Sequence, residues 1–249
     1  AVQKGASDIH IVGGMPPVLR GDGELQKLPH EPELSSKDTL DVCLSLCSPE
    51  QQEVFETERE LDLGYEIKDV SRFRINLHWE KGSAGLVARV ISQTIPTMED
   101  LNMPPITYDL VRLKQGLILV TGPTGMGKST TLAAMIDLVN RERSVHVVTL
   151  EDPIEFIYAP KKAIIKQRQL GSDMMSFAQG LKHVLRQDPN VIMVGEMRDL
   201  ETIASTITLA ETGHLVLATL HTLNAAQTID RIIDVFPPYQ QSQVRLQIS

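Results

Sequence analysis

Residues 72–79 alternate cleanly. Phe73, Ile75, Leu77 and Trp79 fall on one side, and Arg72, Arg74, Asn76 and His78 on the other. A period of two sends alternate side chains to opposite faces, so this stretch predicts a half-buried β-strand with a polar, arginine-bearing face. Gly82 to Gly85 turns the chain, and residues 86–91 read as a partner strand carrying Arg89. Upstream, residues 8–12 and 18–28 read as strands, the second folded at Gly21-Asp22-Gly23. Residues 35–46 and 49–59 read as helices, with Ser35 or Ser36 capping the first and Ser48 the second. Pro49 at the first helical position, followed by Glu50, suits a helix start. The front of the chain is thus an α+β module.

Periodicity fades over residues 94–105, which carry Pro96, Pro104 and Pro105. We place a linker at 96–105, between a front domain at 1–95 and a second domain at 106–249. In the second part, short apolar runs at 117–120, 145–150, 191–194 and 215–220 alternate with helical patterns, such as Leu132, Met135, Ile136 and Val139 or the stretch 200–210. That alternation predicts an α/β domain, a mostly parallel sheet with helices on both faces. Residues 239–249 are helix-like and stop without a terminating signal, so further chain is expected beyond Ser249. No repeat or low-complexity tract interrupts the pattern.

Composition narrows the class. The chain has 249 residues, 42% hydrophobic and 22% charged, which is ordinary for globular protein. No apolar stretch approaches the roughly 18 residues of a membrane span, and no signal peptide is evident although the chain opens on Ala1. The net charge of −8 lies wholly in residues 1–105, with 10 basic and 18 acidic residues; residues 106–249 carry 14 of each. That argues against a nucleic-acid partner, which needs a basic track. The basic group Lys161, Lys162, Lys166 and Arg168 reads as a solvated loop. Cys43 and Cys47 share a helix face with Leu40 and Leu44, which suggests packing rather than a metal pair and a reducing, cytoplasmic compartment.

Residues 122–129 bring in chemistry: Gly122-Pro123-Thr124-Gly125-Met126-Gly127-Lys128-Ser129, with Thr130 next. This is G-x-x-x-x-G-K-[ST], the phosphate-binding P-loop, set between an apolar strand and a helical pattern. Glycines let backbone N–H groups curl around a phosphate, and a helix N-terminus favours the anion. Lys128 brings positive charge to the β- and γ-phosphates of ATP, and the Ser129 hydroxyl is a Mg²⁺ ligand. Hydrolysis needs carboxylates as well. The strand at 145–150 runs into Glu151-Asp152-Pro153-Ile154-Glu155, and the strand at 191–194 into Gly195-Glu196-Met197-Arg198-Asp199. Ligands of open α/β sheets bind at carboxyl ends of strands, so Glu155 and Glu196 are candidate functional acids; Asp199 reads as a helix cap. An apolar strand ending in an acid is the Walker B pattern, with Glu196 in place of the usual Asp and bearing on Mg²⁺ directly or through water. His214 and His221 bracket the run 215–220 and are candidate sensors of nucleotide state near the γ-phosphate.

Four runs, residues 122–129, 151–155, 194–199 and 211–222, resemble in order and spacing the Walker A, Asp box, Walker B and His box of the secretion ATPases, which drive type II secretion and type IV pili. Ser7-Asp8-Ile9-His10, Met15-Pro16-Pro17-Val18 and Phe236-Pro237-Pro238 are similar to its pilus retraction branch, the PilT branch. The resemblance implies a homo-hexamer with a PAS-like front domain and a RecA-like ATPase domain, and ATP between them. It places phosphate-contacting arginines on Arg74 and Arg89 and the water-activating glutamate on Glu155. Met126 and Asn190 depart from the family's usual residues at points expected to matter little. The implied activity is ATP hydrolysis driving pilus retraction, with an inner-membrane platform protein as partner and a peripheral position on the cytoplasmic face. A pilus-assembly or type II secretion ATPase is the alternative within the class. A nucleotide-gated regulator without turnover is the alternative outside it.

Overall fold

The computed structural model describes all residues except Asp22, Asp69, Ser92, Gln93 and Ser249. The chain divides into two compact units, Ala1–Gln93 and Thr94–Ser249.

The first unit contains β1 (Asp8–Ile11), β2 (Val18–Gly21), β3 (Glu24–Lys27), α1 (Ser36–Ser45), α2 (Pro49–Glu58), β4 (Glu60–Ile67), β5 (Ser71–Glu80) and β6 (Ser83–Ile91). Its strands form one antiparallel sheet in the order β3-β2-β1-β6-β5-β4. The turn residue Asp22 lies outside the described residues. Both helices start in capping boxes, Ser35 with Asp38 and Ser48 with Gln51, which satisfy first-turn N–H groups that would otherwise lack partners. The alternation read in β5 holds: Phe73, Ile75 and Leu77 are buried and pack with Phe55 of α2 and Cys43 of α1. Cys47 lies past the end of α1, and both thiols are free. Strand β4 escaped the sequence reading although Leu61, Leu63 and Tyr65 alternate there with polar residues and pair along β5.

The second unit contains α3 (Pro105–Arg112), β7 (Gly116–Thr121), α4 (Lys128–Glu142), β8 (His146–Glu151), β9 (Ile164–Gln169), α5 (Phe177–Val184), β10 (Val191–Val194), α6 (Leu200–Glu211), β11 (Leu215–Leu220), α7 (Ala225–Asp234) and α8 (Pro238–Gln247). Its five strands are all parallel, in the order β7-β11-β10-β8-β9. Each inner strand is apolar on both faces because both are covered. Val147, Val191, Met193, Leu215 and Leu217 face a core built with α4. Val148, Leu150, Ile192, Val194, Val216 and Ala218 face another built with α5, α6 and α7.

Two expectations change. The stretch 96–105 is not a bare connector: Met98 is fully buried in the α4 core, with Ile95, Leu101 and Met103 packed against that core. The basic group is not one solvated loop: Lys166 and Arg168 lie on β9, and Lys161 pairs with Asp137 of α4 at 2.6 Å. Asp199 caps α6 as read, accepting from the backbone N–H of Thr202 at 2.8 Å.

Candidate functional site

Strand β7 ends at Thr121 and α4 begins at Lys128, so the loop between them lies at the carboxyl edge of the sheet. Gly122, Gly125 and Gly127 have φ of +154°, +80° and +82°, backbone that side-chain-bearing residues rarely adopt. Gly127 caps α4 without a side chain, and no acid lies in the first turn. The first-turn N–H groups therefore face the loop with no side-chain acceptor, which is the arrangement an anion completes. Met126 is 73% exposed. The Lys128 ammonium donates to the carbonyls of Gly122 (2.8 Å) and Pro123 (2.9 Å), which holds its charge over the loop.

The next strands deliver acids to the same edge. Glu155 lies on the loop after β8, and its Oε1 accepts from Ser129 Oγ at 3.1 Å. Glu196 follows β10. Its turn is set by Gly195, whose N–H bonds Leu150 O at 2.8 Å. A Cβ there would sit 3.1 Å from that oxygen, so a side chain would have to push β8 away. Glu196 is mostly buried, pairs with Arg198 at 2.5 Å, and lies 3.4 Å from His221 Nε2. The Arg198 pairing escaped the sequence reading; an arginine two residues after an acid was the only signal.

Strand β11 separates β7 from β10, so His221 at its end falls between the loop and Glu196. Its Nδ1 lies 3.4 Å from Thr124 Oγ1 and 3.5 Å from Lys128 Nζ. His221 thus links the P-loop to Glu196. His214 is at the opposite end of the same strand, where its Nδ1 contacts Leu209 O at 3.0 Å and Thr212 Oγ1 at 3.3 Å. The structure therefore does not bring His214 to the P-loop, because six strand residues hold it about 20 Å away.

Arg74 and Arg89 sit directly opposite each other on β5 and β6 in the first unit. Arg74 is exposed. Arg89 Nε donates to Asp8 Oδ1 at 2.9 Å, a carboxylate that also accepts from Ser7 Oγ. Burial pushes the Asp8 carboxyl up, but the Ser7 hydroxyl and the Arg89 guanidinium outweigh that and hold it below its ordinary value. Directly opposite residues share a face of the sheet, and on it the anion that Arg89 holds is Asp8.

Among the described residues no group of three or more His, Cys, Asp or Glu could hold a metal alone. The donors here, one hydroxyl and two carboxylates around a phosphate cradle, suit Mg²⁺ that completes its shell with water and phosphate oxygens. Such a cradle, lysine and pair of strand-end acids define a P-loop ATPase.

Residues 69–241 match the family model described as Type II/IV secretion system protein, and the chain belongs to that family. It is 44% identical over all 249 residues to the type IV pilus retraction ATPase PilT of Pseudomonas aeruginosa, covering 72% of that protein. It is 43% identical over 233 residues (94% of the chain) to the Twitching motility protein of Neisseria gonorrhoeae, covering 62% of it. Among solved structures, the pilus retraction motor PilT with bound ADP superposes with a TM-score of 0.95 at 46% identity, over 99% of this chain and 72% of that one. The Legionella pneumophila ATPase DotB gives 0.87 at 32% identity, over 99% and 70%.

Proposed function

We propose that this chain is the ATP-hydrolysing part of a motor that retracts type IV pili. Its likeness to the retraction ATPase along its whole length supports this, as does a P-loop flanked by Glu155, Glu196 and His221. In this reading the loop of residues 122–130, through the N–H groups of residues 124–130, and the Lys128 ammonium bind the β- and γ-phosphates. Ser129, with Glu196 directly or through water, would hold Mg²⁺, which would supply positive charge to the phosphate oxygens. Glu155 takes the proton of the attacking water, so ATP and water give ADP and phosphate. His221 reports the phosphate's presence from the P-loop to Glu196. Arg74 and Arg89 are further proposed phosphate ligands, and His214 has no role in this account.

A homo-hexamer working on an inner-membrane platform protein from the cytoplasmic face is the assembly we infer. Among the described residues no helix is long and apolar enough to cross a membrane. Two measurements test the reading. Lys128→Ala should abolish ATP turnover while thermal stability is kept; turnover at the parent rate would put the nucleotide site elsewhere. Deleting the gene should leave cells piliated but unable to retract pili or twitch. Bald cells that regain pili on complementation would favour an assembly motor instead.

A further inference from the structure

We propose that Gln167, on strand β9, is a positioning residue that fixes Glu155 by clamping the loop that carries it. The inference rests on the reading of Glu155 as general base. Residues 152–160 form neither helix nor strand, so their backbone groups must find partners elsewhere. The Gln167 amide supplies them. Its Nε2 donates to Phe156 O at 2.7 Å, and its Oε1 accepts from Tyr158 N–H at 3.2 Å. The neighbouring Gln169 Oε1 accepts from Ile154 N–H at 3.3 Å. Glu155 is thus gripped on both sides, at residue 154 and at residue 156.

The second amide hydrogen of Gln167 reaches Glu151 Oε1 at 3.1 Å, where Thr149 Oγ1 also donates at 2.6 Å. Glu151 is buried, and burial pushes its carboxyl up; the Thr149 hydroxyl, the Gln167 amide and the backbone N–H of Glu155 pull the other way. Glu151 therefore serves as the inner anchor of the clamp, accepting from Gln167. The arrangement uses both donors and the acceptor of a primary amide at once. A carboxylate at 167 would lack the donors, and an apolar side chain would leave Phe156 O without this donor and Glu151 with one donor fewer. The Glu155 carboxylate is held 3.1 Å from Ser129, and small misplacements of a catalytic group lower the rate steeply.

The test uses the full-length protein in its assembled form. Gln167→Met keeps the size and removes every hydrogen bond. We expect kcat for ATP to fall roughly tenfold to a hundredfold, with KM changed less than about twofold because the P-loop is untouched. In a Glu155→Gln background the same substitution should lower kcat by less than about twofold, since the group it positions is already gone. Gln167→Asn keeps an amide one methylene too short to span the sites. It should show a smaller loss of the same kind, and it decides the question if Gln167→Met does not fold. Parent kcat in a folded Gln167 variant, or an equal loss with and without Glu155, would overturn the positioning role alone. Parent kcat in Glu155→Gln by itself would instead remove the general-base reading and this proposal with it.

Discussion

The two histidines around β11 look alike in sequence, and the structure predicts different consequences for them. His221→Ala removes the contact to Glu196 at 3.4 Å and the longer ones to Lys128 and Thr124. A net hydrogen bond is worth about 1 kcal/mol, and three long, partly exposed ones together about 1.5–2. If these contacts hold Glu196 and Lys128 in register for the transition state, kcat should fall roughly ten- to thirtyfold, at 1.36 kcal/mol per factor of ten. The same contacts are lost from the folded ground state, so the melting temperature should also fall, by about 3–8 °C. His214→Ala removes a bond to Leu209 O at the carboxyl end of α6. That costs about 1 kcal/mol, or about 2–4 °C in melting temperature for a chain of this size. At about 20 Å, beyond two Debye lengths, the same change should leave kcat within about twofold. Steady-state ATPase assays and thermal melts of both variants decide the matter. A tenfold loss of kcat in His214→Ala at unchanged stability would refute the reasoning.

Met98→Ala should destabilise the second unit by about 2–5 kcal/mol, because the side chain is fully buried beside α4; denaturant melts showing under about 0.5 kcal/mol would make residues 96–105 a bare connector after all. Because the folded Asp8 carboxyl sits below its ordinary value of 3.8, the stabilisation it supplies is present above that pH and is lost as pH falls through the lowered value. The stability gap between parent and Asp8→Asn should therefore be steady from pH 5 to 8 and close below about pH 4; a gap independent of pH would exclude the ion pair with Arg89 as its source. Burial pushes the Cys43 thiol up to about 11, so the folded protein should react with thiol reagents at pH 8 at Cys47 well before Cys43. Equal rates at the two sites would mean that α1 opens readily.

Local physics made much of the chain legible. Residues 122–129 define their loop, since a glycine-rich turn before a helix has few other uses. The alternation of β5, the caps Ser35, Ser48 and Asp199, and the apolar runs of β7, β10 and β11 each follow from a short-range rule of period or capping. The acids Glu155 and Glu196 were readable because strands that end in carboxylates beside a P-loop have an evident use. Strand β9 was not readable. At the open edge of the sheet, Lys166 is exposed, Arg168 is half-buried and donates to Asp173 O, and the polar Gln167 and Gln169 are drawn in by the loop they clamp, so no hydrophobic period marks the strand.

By itself, then, the sequence determined a phosphate cradle, two strand-end carboxylates and an α/β fold to hold them. The tertiary structure alone decided the order β7-β11-β10-β8-β9, and with it which histidine reaches the P-loop. Periodicity tells a strand which faces to bury but not which strands will flank it. That choice comes from the packing of distant helices on both faces, and it slides β11 between the P-loop strand and the Glu196 strand. It puts His221 between Lys128 and Glu196, and leaves His214 at the far end of the sheet.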